Sequence, residues 1–373
     1  MIQNPHIDTY RDGQAIQRIF NALKKLSKNL THPLKVMEVC GGHTHTIMKY
    51  ALPDLLPNSI EFVHGPGCPV CIMPKNRIDC AYKIASQKNV ILVTLGDMIK
   101  VPGSYGSLQN ARAKGLDIRF VYSPLEVLKI AKENPTKHIV YFAIGFETTT
   151  PMSAALLERA ISLKIQNISL HINHVLVPPP LETILNASNC QINALLAPSH
   201  VSVITGSKIY QPLLEKFKIP IVICGFEPVD VGESLLSIVQ QTINQSPQVE
   251  TQYARSVTTQ GNQKAQNLVE KYFEPDDSFY WRGLGEIPHS SLRFKKEYAN
   301  YDASLIFKEF LGGIAKEEHK GCLCGEILKG NKKPFDCKLF GISCTPHNPL
   351  GSCMVSSEGA CAAYYKYQGM RPV

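Results

Sequence analysis

The chain lacks every feature that would send it to a membrane, a secretory route or a nucleic acid. Its N-terminus, MIQNPHIDTYRDG, is polar and has no apolar h-region, so it does not read as a signal peptide. The longest apolar runs, such as VILVTL and IVYFAI, fall far short of a membrane span. Charge of one sign is also scarce. The formal net charge is only +8, and the lysine pairs Lys24-Lys25, Lys295-Lys296 and Lys332-Lys333 are scattered, as on a solvated surface. No nucleic-acid partner is expected, and an acidic protein fits better. The segment GSYGSLQNARAKG lacks the Gly-x4-Gly-Lys-Ser/Thr phosphate loop, so nucleotide use is unsupported. A cytoplasmic chain is expected. In that reducing compartment its 12 cysteines are poor disulfide staples and read as metal ligands or redox groups.

What is present is a large apolar fraction, 44% of 373 residues, enough for a sizeable core and for two or three domains. Residues 14–30 place Ile16, Ile19, Phe20, Leu23, Leu26 and Leu30 at steps of three and four, an amphipathic helix. HPLKVMEVCGGHTHTIMKYAL reads as strand, Gly-Gly turn and helix. NVILVTLGD (89–97), HIVYFAIGFETTTP (138–151) and IPIVICGFEPVD (219–230) are apolar runs of buried-strand length, the last two ending in Gly-Phe-Glu. Buried strands alternating with helices predict parallel α/β sheets. The expected organisation is two similar parallel-sheet α/β domains, residues 1–125 and 126–245, with a cleft between domains. A Gln-rich linker at 240–256 precedes an irregular C-terminal domain, 246–373, which holds the single tryptophan, a helix at 303–315 and a dense cysteine field.

In an open α/β sheet, ligands sit outside the carboxyl ends of the strands. Four loops carry unusual residues there: Cys40-Gly41-Gly42-His43-Thr44-His45, Gly96-Asp97, Gly145-Phe146-Glu147-Thr148-Thr149 and Gly225-Phe226-Glu227-Pro228-Val229-Asp230. Taken singly, each is explained by a turn glycine and a helix-capping acid. Four together point to a shared site. Cys40 ends a strand and opens a helix, where the helix dipole favours its thiolate. Gly41 and Gly42 let backbone amides approach an anion. His43 and His45 can ligate, donate a proton or hydrogen-bond the thiolate. Against this, free cysteine is often a small buried hydrophobe, and His45 reads more simply as a satisfied histidine.

Cys68-Pro69-Val70-Cys71 has the spacing of half a zinc site or of a dithiol. A second pair is missing nearby, so the redox reading leads. The C-terminal field is denser: Cys322, Cys324, Cys337, Cys344, Cys353 and Cys361 within forty residues. It contains neither the Cys-x2-Cys pairs of a zinc ribbon nor a ferredoxin run, leaving a [4Fe–4S] cluster ahead of zinc.

The stretches EVCGGHTHTI, HGPGCPVCIMP, AIGFETTTP, CGFEPVDV and CTPHNPLGSCMVSSEGACAAYYKY resemble the HypD family of hydrogenase maturation factors over nearly the whole chain. That resemblance implies a scaffold, rather than a conventional turnover enzyme, that helps build the Fe(CN)2CO unit of [NiFe]-hydrogenase. It implies a HypC-family chaperone as partner and HypE as the source of cyanide. It implies a [4Fe–4S] cluster on Cys322, Cys337, Cys344 and Cys361, which match the family pattern Cys-x14-Cys-x6-Cys-x16-Cys. Cys324 and Cys353 fall outside that pattern. The family's other important cysteines match Cys40, Cys68 and Cys71. Cys40 would then hold iron carrying cyanide and carbonyl, since such iron takes soft thiolates. The Gly-Gly turn and His43 would donate to a cyanide nitrogen, and Glu147 and Asp230 would orient loops. The alternatives are an iron–sulfur-dependent thiol–disulfide oxidoreductase and a zinc-stabilised binding protein.

Overall fold

The computed structural model describes residues 9–312 and 321–368. The first helix, α1 (Gly13–Leu26), starts where Asp12 accepts hydrogen bonds from the amides of Gln14 and Ala15 at 3.2 and 3.0 Å. Its predicted apolar stripe is its buried stripe, with Phe20 and Leu23 almost fully enclosed. The next elements are β1 (Leu34–Glu38), α2 (Gly41–Lys49), β2 (Ile60–His64), β3 (Val90–Leu95), β4 (Ile118–Val121), β5 (His138–Gly145), α3 (Thr150–Ser162), β6 (Ile168–His174), β7 (Ala194–Pro198), β8 (Ile221–Cys224), α4 (Pro228–Ile243) and β9 (Val249–Thr251).

These strands form two sheets, both wholly parallel, as the pattern predicts. One has the order β9-β8-β7-β1-β2 and the other β4-β3-β5-β6. The four-stranded sheet is built from one continuous stretch, 90–174, and the five-stranded sheet from strands on either side of it. Residues 125 and 126 therefore lie inside the four-stranded unit. The expected linker at 240–256 is instead the end of α4 followed by β9, an edge strand of the five-stranded sheet. The two Gly-Phe-Glu turns do occupy equivalent places. Each follows a strand and precedes a helix with proline in its first turn, one in each sheet.

Side-chain alternation divides each strand between two layers. Met37, Leu195, Ile223, Leu92, Val140 and Phe142 join one core shared by both sheets. Val36, Leu196 and Val222 face outward to α1, α2 and α4. Ile91, Val93 and Tyr141 face α3 on the other flank. A Cβ on Gly232 of α4 would lie 2.6 Å from Ile19 Cγ2, so glycine there allows α1 and α4 to pack closely.

Much of the C-terminal third is attached to this frame. Helix α5 (Gln263–Tyr272) leads into strands whose Phe273 and Phe294 complete the α3-side core. Trp281 is fully buried, and its indole N–H donates to Ser290 Oγ at 2.8 Å. The helix expected at 303–315 is a single turn, Ala303–Ile306, then a 3-10 turn, Lys308–Phe310. Residues 313–315 lie outside the described residues. Helices α6 (Cys324–Leu328) and α7 (Ala360–Tyr367) frame the cysteine field, and α7 packs on α2. Among the described residues, no helix is long and apolar enough to cross a membrane.

Leu23→Ala removes a fully buried side chain from the α1–α4 seam. The expected loss is about 3 kcal/mol, read as a lower urea midpoint at unchanged m-value.

Candidate functional site

In each sheet the chain reverses its direction of growth once, between β1 and β7 in the larger sheet and between β3 and β5 in the smaller. The crevices outside the carboxyl ends at such points are where α/β proteins bind ligands. Cys40 follows β1, Gly96-Asp97 follows β3 and Gly145-Phe146-Glu147 follows β5. Glu358 lies within electrostatic reach of both Cys40 and Asp97, and buried Tyr210 within reach of both Cys40 and Glu147.

Cys40 is the extended N-cap residue of α2. Parallel pairing of Glu38 with His64 brings the loops after β1 and β2 side by side. Gly41 N–H donates to Gly67 O at 3.1 Å, and Gly65 N–H to Glu38 O at 2.8 Å. Gly67 lies so close to the Cys40 backbone that any side chain there would collide with it. Cys68 and Cys71 follow, both buried and both free thiols, with the Cys71 amide 3.3 Å from Cys68 Sγ. The backbone of the Cys40 loop thus lies against the loop that leads to Cys68 and Cys71, and Gly41 shares a cavity with those two cysteines.

The thiolate expectation for Cys40 is reversed. The Gly42 and His43 amides do favour the anion, but burial outweighs them, and Glu358 and Glu38 add repulsion. The thiol is pushed up to about 12. Cys71 is raised as well, first by burial and then by Cys68. On their Cβ sides the two glycines meet protein. A Cβ on Gly41 would lie 2.9 Å from Glu358 Cγ, and one on Gly42 2.7 Å from Phe226 Cδ1.

His43 differs from expectation too. Its Nε2–H donates to the carbonyls of Cys224 and Gly225, both at 3.0 Å, and its ring stacks on Phe226 at 4.8 Å. Burial lowers its pKa, so the ring is neutral, and its buried Nδ1 has no partner. That nitrogen accepts and cannot donate to a cyanide. His45 meets the Tyr367 hydroxyl at 3.3 Å and packs edge-on against that ring.

The carboxylates divide by role. Arg255 holds fully buried Asp230 with two hydrogen bonds, 2.9 and 2.7 Å, and Gln252 adds a third at 2.9 Å. Glu227 takes Arg11 at 2.5 and 2.7 Å. Both fix the start of α4. Glu147 accepts the Val177 amide at 2.9 Å through Oε1, while Oε2 is buried without a partner, and burial raises this acid to about 7.

Two features escaped the sequence reading. The first is Glu38, fully buried. It accepts from the Cys40 amide at 3.0 Å, from the Thr44 hydroxyl, and from His64 Nδ1 at 2.6 Å. The visible signal was one acid inside the strand LKVME. The second is a disulfide between Cys324 and Cys353, two cysteines read only as part of the field. No spacing rule announces a pair 29 residues apart. It borders the same apolar cavity as Cys322, Cys337, Cys344 and Cys361, whose other walls include Ile327, Leu339, Phe340 and Met354. Cys353 also reaches a second cavity, shared with Cys68, Cys71, Gly41 and Glu358. The segment joining the two is pinned where the Ser352 hydroxyl donates to Cys71 O.

The frame is that of a cysteine-rich parallel α/β protein, with free thiols after its strand ends and a disulfide between two cysteine groups. The chain belongs to the HypD family of hydrogenase maturation factors. The family model, described as "Hydrogenase formation hypA family", matches residues 14–368. The hydrogenase expression/formation protein HupD of Azotobacter chroococcum is 47% identical over 98% of this chain and 97% of its own length. The hydrogenase maturation factors HypD of Rhizobium leguminosarum (98% of this chain, 96% of its own) and Escherichia coli (97% and 98%) are 46% and 42% identical.

Glu38→Ala leaves three donors facing a buried gap and is expected to cost about 3 kcal/mol or more in urea unfolding. Burial and the two carboxylates push the Cys40 thiol up to about 12, so little of it is thiolate at pH 9. Iodoacetamide labelling read by mass spectrometry is expected to modify Cys40 at least about a hundredfold more slowly in the folded chain than in urea.

Proposed function

We propose that this chain is the scaffold on which the Fe(CN)2CO unit of [NiFe]-hydrogenase is assembled, together with a HypC-family chaperone and with cyanide supplied by HypE. The observation that carries the reading is the packing of the Cys40 loop against Cys68 and Cys71, with Cys353 on the next cavity wall. Iron is the cargo. A neutral thiol flanked by Glu38 and Glu358 carries no charge of its own but sits in a negative field. Arriving iron displaces the proton, because a coordinating thiol deprotonates outright. The Gly42 and His43 amides then support the sulfur.

The four outer cysteines fit a [4Fe–4S] cluster. They border one apolar cavity, and among the described residues no three His, Cys, Asp or Glu side chains converge as they would on a single ion. A cubane takes one thiolate at each iron corner, so its ligands stand farther apart than the four of a zinc site. When bound, the cluster supplies single electrons. Burial raises Cys361, and the neighbouring Cys322, Cys344 and Cys337 raise it further, a repulsion that bound iron would relieve.

The Cys324–Cys353 disulfide and the open Cys68/Cys71 pair stand on either side of Gly359. A Cβ there would sit 2.8 Å from Cys353 C and 2.9 Å from Cys71 Sγ. Exchange between the pairs moves two electrons, opening one S–S bond as the other closes. A disulfide in that place equally suits the second reading, a thiol–disulfide oxidoreductase.

Infrared spectroscopy of the anaerobically purified complex with a HypC-type chaperone separates the readings. Cyanide and carbonyl stretches are expected, and their absence from repeated loaded preparations favours the oxidoreductase. Cys361→Ser is expected to lose the visible iron–sulfur band. Cys353→Ser is expected to keep that band and lose hydrogenase maturation in cells. Full maturation by Cys353→Ser removes the disulfide from the mechanism.

A further inference from the structure

Opening Cys324–Cys353 consumes two electrons and two protons. The thiol groups inside this chain can only pass such electrons on, so a reductant must meet the chain somewhere. The exposed border of the four-thiol cavity is the segment from Phe335 to His347, which carries Cys337 and Cys344. Between those cysteines Ile342 exposes 80% of its surface, and Phe335 nearby exposes 40%. Ile342 is held out by a defined turn. Gly341 N–H donates to Cys344 O at 3.0 Å, Cys344 N–H to Leu339 O at 2.8 Å, and Asn348 Nδ2 to Ser343 O at 3.2 Å. Gly341 has φ +72°, which suits glycine at that corner. Phe335 rests edge-on against Phe340 at 5.3 Å and Tyr364 at 5.4 Å, so it too stands on a rigid base.

Lysines are frequent in the same stretch of chain. Between residues 326 and 347 the sequence carries Lys329, Lys332, Lys333 and Lys338 against Glu326 and Asp336. Both acids are engaged, Glu326 by Lys329 and Asn331, and Asp336 by the Lys333 amide. Lys333 reaches Glu61 at 2.7 Å. Lys332 is close enough to Glu326 to help lower the pKa of that acid, while exposed Lys338 makes no ion pair with any described residue. A small apolar centre in a stretch with four lysines against two acids suits a short-lived complex steered by opposite charge, the type formed in electron transfer.

We propose that the face formed by Phe335, Lys338 and Ile342, with Lys332 at its margin, docks a small acidic protein that carries a one-electron centre. The proposal rests on the reading of the four thiols as a cluster site. Two reduced carriers dock in turn, and each is oxidised by one electron. The Cys324–Cys353 bond breaks, and two protons from solvent complete the thiols.

The test titrates the full, anaerobically purified chain with a plant-type [2Fe–2S] ferredoxin as the acidic probe, by calorimetry at low and at physiological salt. Saturable binding is expected at low salt, weakening about tenfold at physiological salt. Lys338→Glu and Ile342→Asp are each expected to weaken it about fivefold or more, whereas Lys132→Glu, exposed on the helix Glu126–Glu133, leaves it unchanged. Both test positions are exposed, and circular dichroism verifies that each variant stays folded. Equal affinity of wild type, Lys338→Glu and Ile342→Asp overturns the proposal. So does an absence of saturable binding at low salt, or equal binding of a basic cytochrome c. The visible iron–sulfur band is read on the same samples. Binding lost with the band retained places the loss at the surface. Binding through this face by a chain that never shows the band keeps the docking surface and overturns the cluster reading.

Discussion

The buried carboxylate of Glu38 holds the cysteine loops in register. It ends β1 and has no access to water, so its lone pairs must be satisfied from within. The donors that satisfy it come from three places: the Cys40 amide just past the strand, the Thr44 hydroxyl on α2 and the His64 ring at the end of β2. The first and last of these fix the two loops that carry Cys40 and Cys68. A carboxylate in an apolar strand is expensive, and here it is accepted because it joins two neighbouring strand ends that the sheet ladder alone would leave to separate loops. The Gly65 amide bonds the Glu38 carbonyl as well, so the same residue anchors the second loop through its main chain and the first through its side chain.

Around that anchor, desolvation decides the chemistry of the thiols. A helix N-terminus favours an anion by about 0.3–1 kcal/mol at an exposed site. Removing a thiolate from water costs more, and the carboxylates of Glu38 and Glu358 oppose it further. The outcome is a Cys40 thiol raised above its ordinary value beside two carboxylates. His43 follows the same logic. Because its only N–H is spent on the Cys224 and Gly225 carbonyls, it contributes a fixed wall and an acceptor nitrogen. Phe226 and Glu358 close the Cβ sides of Gly42 and Gly41 in the same loop.

Local patterns carried much of the architecture. The strands β1, β3, β5 and β8 and helix α1 were legible because each is an apolar run or a helical stripe of sufficient length. The two Gly-Phe-Glu turns were legible because a strand that stops at glycine and acid before proline has few other readings. β6 was not. Its sequence, ISLHINH, is fully buried yet contains two histidines and an asparagine, and polar residues at that density argue for a loop. β2 and β7 have five residues each and follow proline-rich or asparagine-rich stretches that mask them. Sheet membership was beyond reach on physical grounds. Strand order depends on contacts between residues more than a hundred positions apart, such as Val36 with Ala194. The same holds at the site: Cys40, Cys68 and Cys71 could be named from motifs, but the Cys324–Cys353 bond and the neutral state of Cys40 are products of tertiary burial.

The returning C-terminus explains why these separate features form one device. From the cavity lined by Cys322, Cys337 and Cys344, the chain runs through Cys353, bonds Cys71 O through Ser352, and lays Glu358 over Gly41 before α7 packs on α2. In nine residues, 353 to 361, it touches the disulfide, the Cys68/Cys71 pair, the Cys40 loop and the last outer thiol, Cys361. A short segment therefore touches all of these groups. Gly359 is its tightest point, where a Cβ would lie 2.8 Å from Cys353 C and 2.9 Å from Cys71 Sγ, so nothing larger than hydrogen fits there. The disulfide and the cover over the Cys40 loop are thereby parts of one strap.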